Sequence, residues 1–254
     1  LYHIMKIISY NINGIRAVIK KGFVDWLKKQ NPDIICLQEI KAFKDQFDYL
    51  VFEKLGYHVY WNPAEKKGYS GVAILSKLRA NKITFGLGNK KFDVEGRFLR
   101  ADYDGFSICS IYFPSGTSGP IRQDYKMKFL HEIYNYVKND HSSLILCGDF
   151  NVCHFPIDIH DPIRNKNSSG FLPEEREWMT QFLKLGLIDI FRNINPHPHH
   201  YTWWSYRSMA KLRNKGWRID YYMISTVLKK RVKNSSIMKE VSFSDHCPIV
   251  LDLL

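Results

Sequence analysis

No apolar run in the 254 residues approaches the length of a membrane span, and the N-terminus lacks the apolar segment of a secretory leader. Membrane partners are therefore not expected. The sequence also lacks internal repeats, low-complexity tracts and Pro/Gly/Ser-rich linkers, so a single domain over residues 1–254 is the simplest organisation. Residues 1–4, ahead of Met5, read as an N-terminal appendage. Paired cysteines are missing as well. Cys36, Cys109, Cys147, Cys153 and Cys247 form an odd set without a Cys-x-x-Cys spacing, which argues against a disulfide framework and a zinc ribbon. Most lie in apolar runs such as DIICLQ and SLILCGD, where a small buried thiol is the default. The expected compartment is reducing and cytoplasmic.

Acids are scarce in one place. Lys and Arg number 37 against 25 Asp and Glu, a formal +12, and the imbalance is local. Residues 190–239 hold eleven cations (Arg192, Arg207, Lys211, Arg213, Lys215, Arg218, Lys229, Lys230, Arg231, Lys233 and Lys239) with Asp220 as their one acid. A concentrated positive field points to a polyanion, nucleic acid before anionic membrane; the alternative is a plain solvated face. Hydrophobic residues at 45% and aromatics at 15% exclude disorder as the main state.

What is present is a series of short β-branched runs: Lys6–Tyr10, Asp33–Leu37, Tyr57–Trp61, Gly71–Leu75, Arg97–Tyr103, Phe106–Tyr112, Leu144–Cys147, Ile219–Ile224 and Pro248–Leu253. Helical patterns interrupt them at Gly22–Gln30, Lys44–Leu55, Arg122–Lys138 and Pro173–Leu185. The third places Tyr125, Phe129, Ile133 and Val137 on one face, and the fourth opens with Pro173, Glu174 and Glu175, a composition favoured in a first turn. Strands outnumbering helices about two to one disfavour a Rossmann pattern and favour packed mixed sheets covered by helices.

Chemistry is signalled where strands stop. SYNING places Asn11 and Asn13 after an apolar strand, CLQE ends in Glu39, and ILCGDFN ends in Asp149 and Asn151. WRIDYY plants Asp220 among aliphatic residues, and SDHCPI puts Asp245 and His246 just ahead of the last strand. Side chains at strand ends can converge on one rim of a sheet. Clustered carboxylates repel one another and call for a hard cation such as Mg²⁺, and carboxylates, Asn amides and one His suit phosphoryl chemistry. Singly, each residue has a plainer role: a cap, an Asx-turn, or a satisfied histidine near the core. Five such strand ends in one chain favour a shared site.

At these residues the chain resembles the exonuclease III type of AP endonuclease, within the endonuclease/exonuclease/phosphatase superfamily. The motifs NINGIRA, PDIICLQEIKA, YSGVAIL, EGRFLRADY, IYFPSG, CGDFNVCH, GFLPEER, YTWWSYR, GWRIDYY and SDHCPI carry it over nearly the full length. GDFN and SDH mark the superfamily; GFLPEER, YTWWSYR and GWRIDYY are more specific to its DNA-repair branch. The resemblance implies a four-layered α/β sandwich, two mixed β-sheets packed face to face and flanked by helices. It implies a metal site at Glu39, Asn13 and Asp245, with Asp149 and Asn151 as a second one, taking Mg²⁺ or Mn²⁺ as a substitute. It further implies that Asp149 orients the attacking water, that Asn151, His246 and Tyr112 contact the phosphate, that Asp220 orients His246, and that Asn11 holds the site. Trp203, Trp217 and Ile219 match the walls of a pocket for a flipped-out abasic sugar, and Arg207 matches a side chain inserted into the duplex. Trp204 is assigned to core instead.

The expected activity is cleavage 5′ to abasic sites in duplex DNA by a monomer, with 3′→5′ exonuclease and 3′-phosphodiesterase or phosphatase activity. One departure bears on that balance. Where many relatives read Pro-Asn after the tyrosine, this chain reads Pro114, Ser115, Gly116 and no Arg before Arg122. The histidine-rich Pro196, His197, Pro198, His199, His200 reads as a loop, since no Cys or acid nearby completes a zinc set. A phosphoinositide, sphingomyelin or RNA-tail substrate, and a binding-only scaffold, are the rival readings. GWRIDYY with its tryptophans opposes the first, and the complete polar set opposes the second.

Overall fold

In the computed structural model, which describes residues 3–254, strand faces alternate between two different neighbours. The expectation of an appendage at residues 1–4 falls partly on Leu1 and Tyr2, outside the described residues. Ile7 of β1 (Met5–Asn11) faces one core while Ile8 and Tyr10 face another. The same split runs through β2 (Ile34–Gln38), with Ile34 and Cys36 inward and Ile35 and Leu37 outward, and through β4 (Val72–Ser76). A strand's side chains alternate in direction, so a run apolar at every position can only be buried on both faces.

Two six-stranded sheets satisfy that requirement. The first runs β11 (Val232–Ile237), β12 (Ile249–Leu253), β1, β2, β4, β3 (His58–Asn62). The second runs β5 (Lys82–Phe85), β6 (Phe98–Tyr103), β7 (Phe106–Tyr112), β8 (Leu144–Asp149), β10 (Asp220–Ser225), β9 (Leu187–Asp189). The β1–β2 and β7–β8 pairs are parallel and the others antiparallel, so both sheets are mixed. Ile7, Cys36, Ile74, Ile108, Cys147 and Tyr222 pack between the sheets. On the outer face of the first sheet lie α1 (Ile15–Lys20) and α2 (Phe23–Gln30); on that of the second lie α5 (Pro120–Lys138) and α6 (Pro173–Leu183). The result is the expected four-layered α/β sandwich, with all five cysteines buried and unpaired.

The three strands that the sequence pattern leaves out (β5, β9 and β11) are all sheet edges, short or half polar. Edge strands are kept short and carry polar or charged residues that discourage further pairing, which erases the apolar pattern. Three short helices are likewise absent from the sequence reading: α1, α4 (Lys90–Asp93) and α7 (Ile190–Ile194). The helix expected over Lys44–Leu55 divides into a 3₁₀ turn at Lys44–Gln46 and α3 (Leu50–Lys54). Phe47 between them is extended, its ring packed 5.0 Å from Trp61, while the Gln46 side chain caps the backbone amide of Phe43. Tertiary burial of one aromatic overrides the local helical preference.

Register decides where the chemistry can sit. Asn11 pairs with Gln38, Tyr112 with Asp149, and Asp220 with Asp149, while His246 precedes the antiparallel β12. All therefore lie on one rim of the sandwich. Gly148 makes the β7–β8 approach possible: its φ is +134° and a Cβ would stand 2.0 Å from the Ile111 carbonyl oxygen.

Candidate active site

Strand ends from both sheets meet at Asp149, which is 1% exposed. The Asn11 side-chain amide donates to Asp149 Oδ2 at 2.9 Å and to Glu39 Oε1 at 3.0 Å, joining carboxylates of the two sheets. The backbone amide of Asn151 donates to Asp149 Oδ1 at 2.8 Å. Asn13, Glu39 and Asn151 follow β1, β2 and β8 with φ of 48°, 51° and 52°. Left-handed backbone at a non-glycine residue is uncommon and concentrates where function demands a particular aim. Here it turns three polar side chains back over the rim.

His246 stands over this group. Its Nδ1 lies 2.9 Å from Asp220 Oδ2 and its Nε2 lies 3.7 Å from Asp149 Oδ2. Burial works against a charge on the imidazole, yet Asp220 and Asp149 together lift its pKa to about 10. Burial also raises Asp149, with His246 opposing and the Asp220 and Glu39 carboxylates adding to the rise. The neighbouring phenol of Tyr112 is held far above its usual range, first by burial and then by Glu39. The hydroxyl therefore stays protonated as a donor. Arg97 supports it from behind, its guanidinium 4.5 Å from the ring centroid and hydrogen-bonded to the Tyr112 carbonyl.

Glu39, Asp149 and His246 offer ligand atoms within 4.8 Å of one another. A protonated imidazole does not ligate a metal, so the donors that fit a cation are the Glu39 and Asp149 oxygens, a hard set suited to Mg²⁺-like ions. Asn13 and Asp245 are the other residues expected at the metal site. Asn13 donates to Asp245 Oδ1 at 2.9 Å, and the other oxygen, Oδ2, accepts from the Trp203 indole at 3.0 Å. The Asn13 amide oxygen and Glu39 Oε2 both receive the Lys41 ammonium, at 2.5 and 2.8 Å. Lys41 escaped the sequence reading, although it lies two residues after Glu39 in the quoted QEIK run.

Beside the carboxylates, a cleft of about 640 Å³ is lined by Tyr112, Asn151, Gly170, Trp203, Trp217 and Ile219, among others. The Trp203 and Trp217 rings stand 6.0 Å apart at 87°, forming an apolar corner with Ile219 and the buried Phe171. Phe171 lies in the quoted GFLPEER motif but was not singled out. Ser115, Gly116 and Thr117 line the same cleft, so the departure from relatives falls on the site itself. Trp204 is buried in separate core with Tyr201 and Cys247, as assigned.

The basic stretch 190–239 requires a correction: it is not one surface. Arg218 is fully buried, pairing with Asp158 at 2.8 Å and Asp189 at 2.6 Å, and Arg192 also binds Asp158. These cations neutralise acids from outside the stretch. Lys229, Lys230, Arg231 and Lys233 follow the far end of β10, where Arg231 donates to the Leu254 carbonyl, so they lie at the opposite rim from His246. Of the remaining five, Arg207, Arg213 and Lys215 are exposed on the loop between Trp204 and Trp217, Lys211 is half-buried on the same loop, and Lys239 is exposed beside Glu240. His199 and His200 line a different cleft with Lys211 and Glu240, and no metal-holding group includes them among the described residues.

Among known proteins, the profile of the Endonuclease/Exonuclease/phosphatase family matches residues 8–246. An exodeoxyribonuclease of Bacillus subtilis is 43% identical over 97% of this chain and 98% of its own. The structure of an AP endonuclease from Archaeoglobus fulgidus superposes with a TM-score of 0.90 at 32% identity, covering 98% of this chain and 99% of that one. A Neisseria 3′ phosphatase bound to a product DNA hairpin superposes with a TM-score of 0.91 at 29% identity over 98% and 99% of the two chains. With the full-length match and the rim of carboxylates, amides and one charged histidine, the chain belongs to the endonuclease/exonuclease/phosphatase family, in its branch of exodeoxyribonucleases and AP endonucleases.

Proposed function

We propose that the protein is a DNA-repair nuclease that hydrolyses the phosphodiester 5′ to an abasic site in duplex DNA, leaving a 3′-hydroxyl. Removal of 3′-blocking groups and of 3′-terminal nucleotides uses the same chemistry, because the same bond between phosphorus and the 3′-oxygen opens in each case. The observation that carries this reading is the position of Asp149, held by Asn11 and Asn151, 3.7 Å from a charged His246 and beside an apolar corner. A base-free sugar is small and already unstacked, so such a corner favours it over an intact nucleotide.

Glu39 and Asp149 would hold Mg²⁺, with Mn²⁺ as a substitute; when bound, the ion neutralises phosphate charge. Asp149, ionised, orients the attacking water and accepts its proton. The His246 imidazolium and the Tyr112 hydroxyl donate to the phosphate oxygens as charge develops, and Asp220 keeps His246 charged and aimed. Asn151 spends both amide hydrogens on Phe113 O and Asp149, which makes it a support of Asp149 more than a phosphate donor. Asp245 and Asn13 brace Trp203 and Lys41 around Glu39.

The exposed Arg207 enters the duplex next to the lesion, with Arg213 and Lys215 on backbone phosphates. The protein works as a monomer and as one domain. Five buried unpaired thiols suit the cytoplasm, and no helix among the described residues is long and apolar enough to cross a membrane. One incubation tests the reading: duplexes carrying an abasic analogue, a recessed 3′ end or an RNA strand, with Mg²⁺ or with EDTA. Metal-dependent cutting 5′ to the analogue is expected. Cleavage of the RNA strand alone, or no cleavage with either Mg²⁺ or Mn²⁺, would reject it.

A further inference from the structure

Behind the cleft wall lies an ion pair sealed from solvent. Lys126 of α5 and Glu175 of α6 are both 0% exposed, with Nζ 2.5 Å from Oε1. Burying two charges is unfavourable unless each finds further partners, and these partners belong to two different loops. The ammonium also donates to the Asn151 carbonyl at 2.8 Å, on the loop that carries Asp149 and Asn151. The carboxylate's second oxygen accepts the backbone amides of Gly170 at 2.6 Å and Leu172 at 3.0 Å, on either side of Phe171 in the cleft wall. Gln123 closes the ring, donating to Glu175 at 2.9 Å and accepting from Ser169 at 2.7 Å.

The two loops touch with no slack. A Cβ at Gly170 would come within 2.8 Å of the Trp217 ring and 3.1 Å of the Asn151 carbonyl, so Gly170 is wedged between the apolar corner and the catalytic loop. Moving the pair therefore moves the wall relative to Asp149. Neither residue reaches the cleft itself.

We propose that the Lys126–Glu175 pair is a positioning device that fixes the width of the sugar pocket against the catalytic loop, and through it the preference for an abasic sugar over an intact nucleotide. The proposal rests on the nuclease reading above and deepens it. A 3′-phosphate end offers a control within the same active centre. Its phosphorus carries no downstream sugar, so its hydrolysis leaves the pocket empty.

A single change strands a buried charge and endangers folding, so the informative variant is neutral on both sides: Lys126→Met with Glu175→Gln. The glutamine oxygen still accepts from the Gly170–Leu172 loop while the bridge to Asn151 is lost. In EDTA, the ratio of affinities for abasic and intact duplex, read by anisotropy, is expected to fall about tenfold. With metal, kcat/KM for abasic incision falls by a similar factor, and 3′-phosphate release stays within about threefold. Lys126→Arg, which keeps the charge and can still bridge, retains most of the selectivity. An unchanged affinity ratio overturns the proposal, as does an equal loss on both substrates with a lowered melting midpoint, which marks a purely structural pair. A wild-type protein that cuts neither substrate overturns the nuclease reading itself.

Discussion

At one rim of the sandwich, Asp149, Asp220 and His246 are each less than 5% exposed and meet one another or Asn11 at 2.9 to 3.7 Å. At the other rim, Lys229, Lys230 and Lys233 stand in solvent without a carboxylate partner among the described residues. The same strand, β10, connects the two: Asp220 begins it, and the lysines follow its end about 20 Å away at the usual rise per residue. Charges packed together in a low-dielectric site control each other's protonation and are aimed; charges in water are screened and act as a diffuse field. Count of charge says little about function here. Confinement says more.

The sharpest way to break the contrast is to remove a confined group. Glu39→Ala should lower metal-dependent cleavage by about a thousandfold while leaving duplex binding within about threefold, because Glu39 acts on the metal and not on the DNA. Full activity across a Mg²⁺ titration would remove Glu39 from the metal site.

A smaller effect is expected from Asp220→Asn. In the intact protein Asp149 must lose its proton and His246 must keep its own, so the rate should rise as pH passes the raised Asp149 value and fall near the His246 value of about 10. Asp220 is the largest influence raising His246 against burial, so its neutralisation should move the alkaline fall toward neutral pH; because Asp220 also helps to raise Asp149, the acid rise should shift to lower pH as well. An alkaline limb that does not move would show that Asp220 does not govern the histidine's charge.

The smallest effect separates the two rims directly. Neutralising one cation that touches a phosphate flattens the slope of log affinity against log salt by about 0.9. Arg213→Gln and Lys215→Gln are each expected to do so, whereas Lys229→Gln and Lys230→Gln should leave the slope unchanged. If the far-rim changes flatten the slope equally, the whole stretch faces DNA after all.

Much of this architecture was legible before any contact was known. Nine strands follow from apolar runs, and every site residue follows a strand end or lies in a quoted motif, because strand ends impose a polar-to-apolar break that survives in one dimension. The missing strands are edges with no such break. Lys126 was invisible for the opposite reason: an amphipathic helix accommodates lysine readily, and nothing local distinguishes a buried one.

By itself the sequence determined which polar groups exist, that they follow apolar strands, and that positive charge gathers in 190–239. Only the tertiary structure decided who faces whom. Asn11 meets Asp149 across 138 residues of chain because one sheet stacks on the other, and Asn13 meets Asp245 across 232 because β1 pairs with β12 within one sheet. It also sent Arg218 inward to Asp158 and Asp189, and placed Lys229 to Lys233 at the wrong end of the strands for catalysis. Residue type and spacing are local properties. Burial and direction arise only when distant strands pack, and they turn a basic stretch into a buried brace, an exposed loop and a solvated edge.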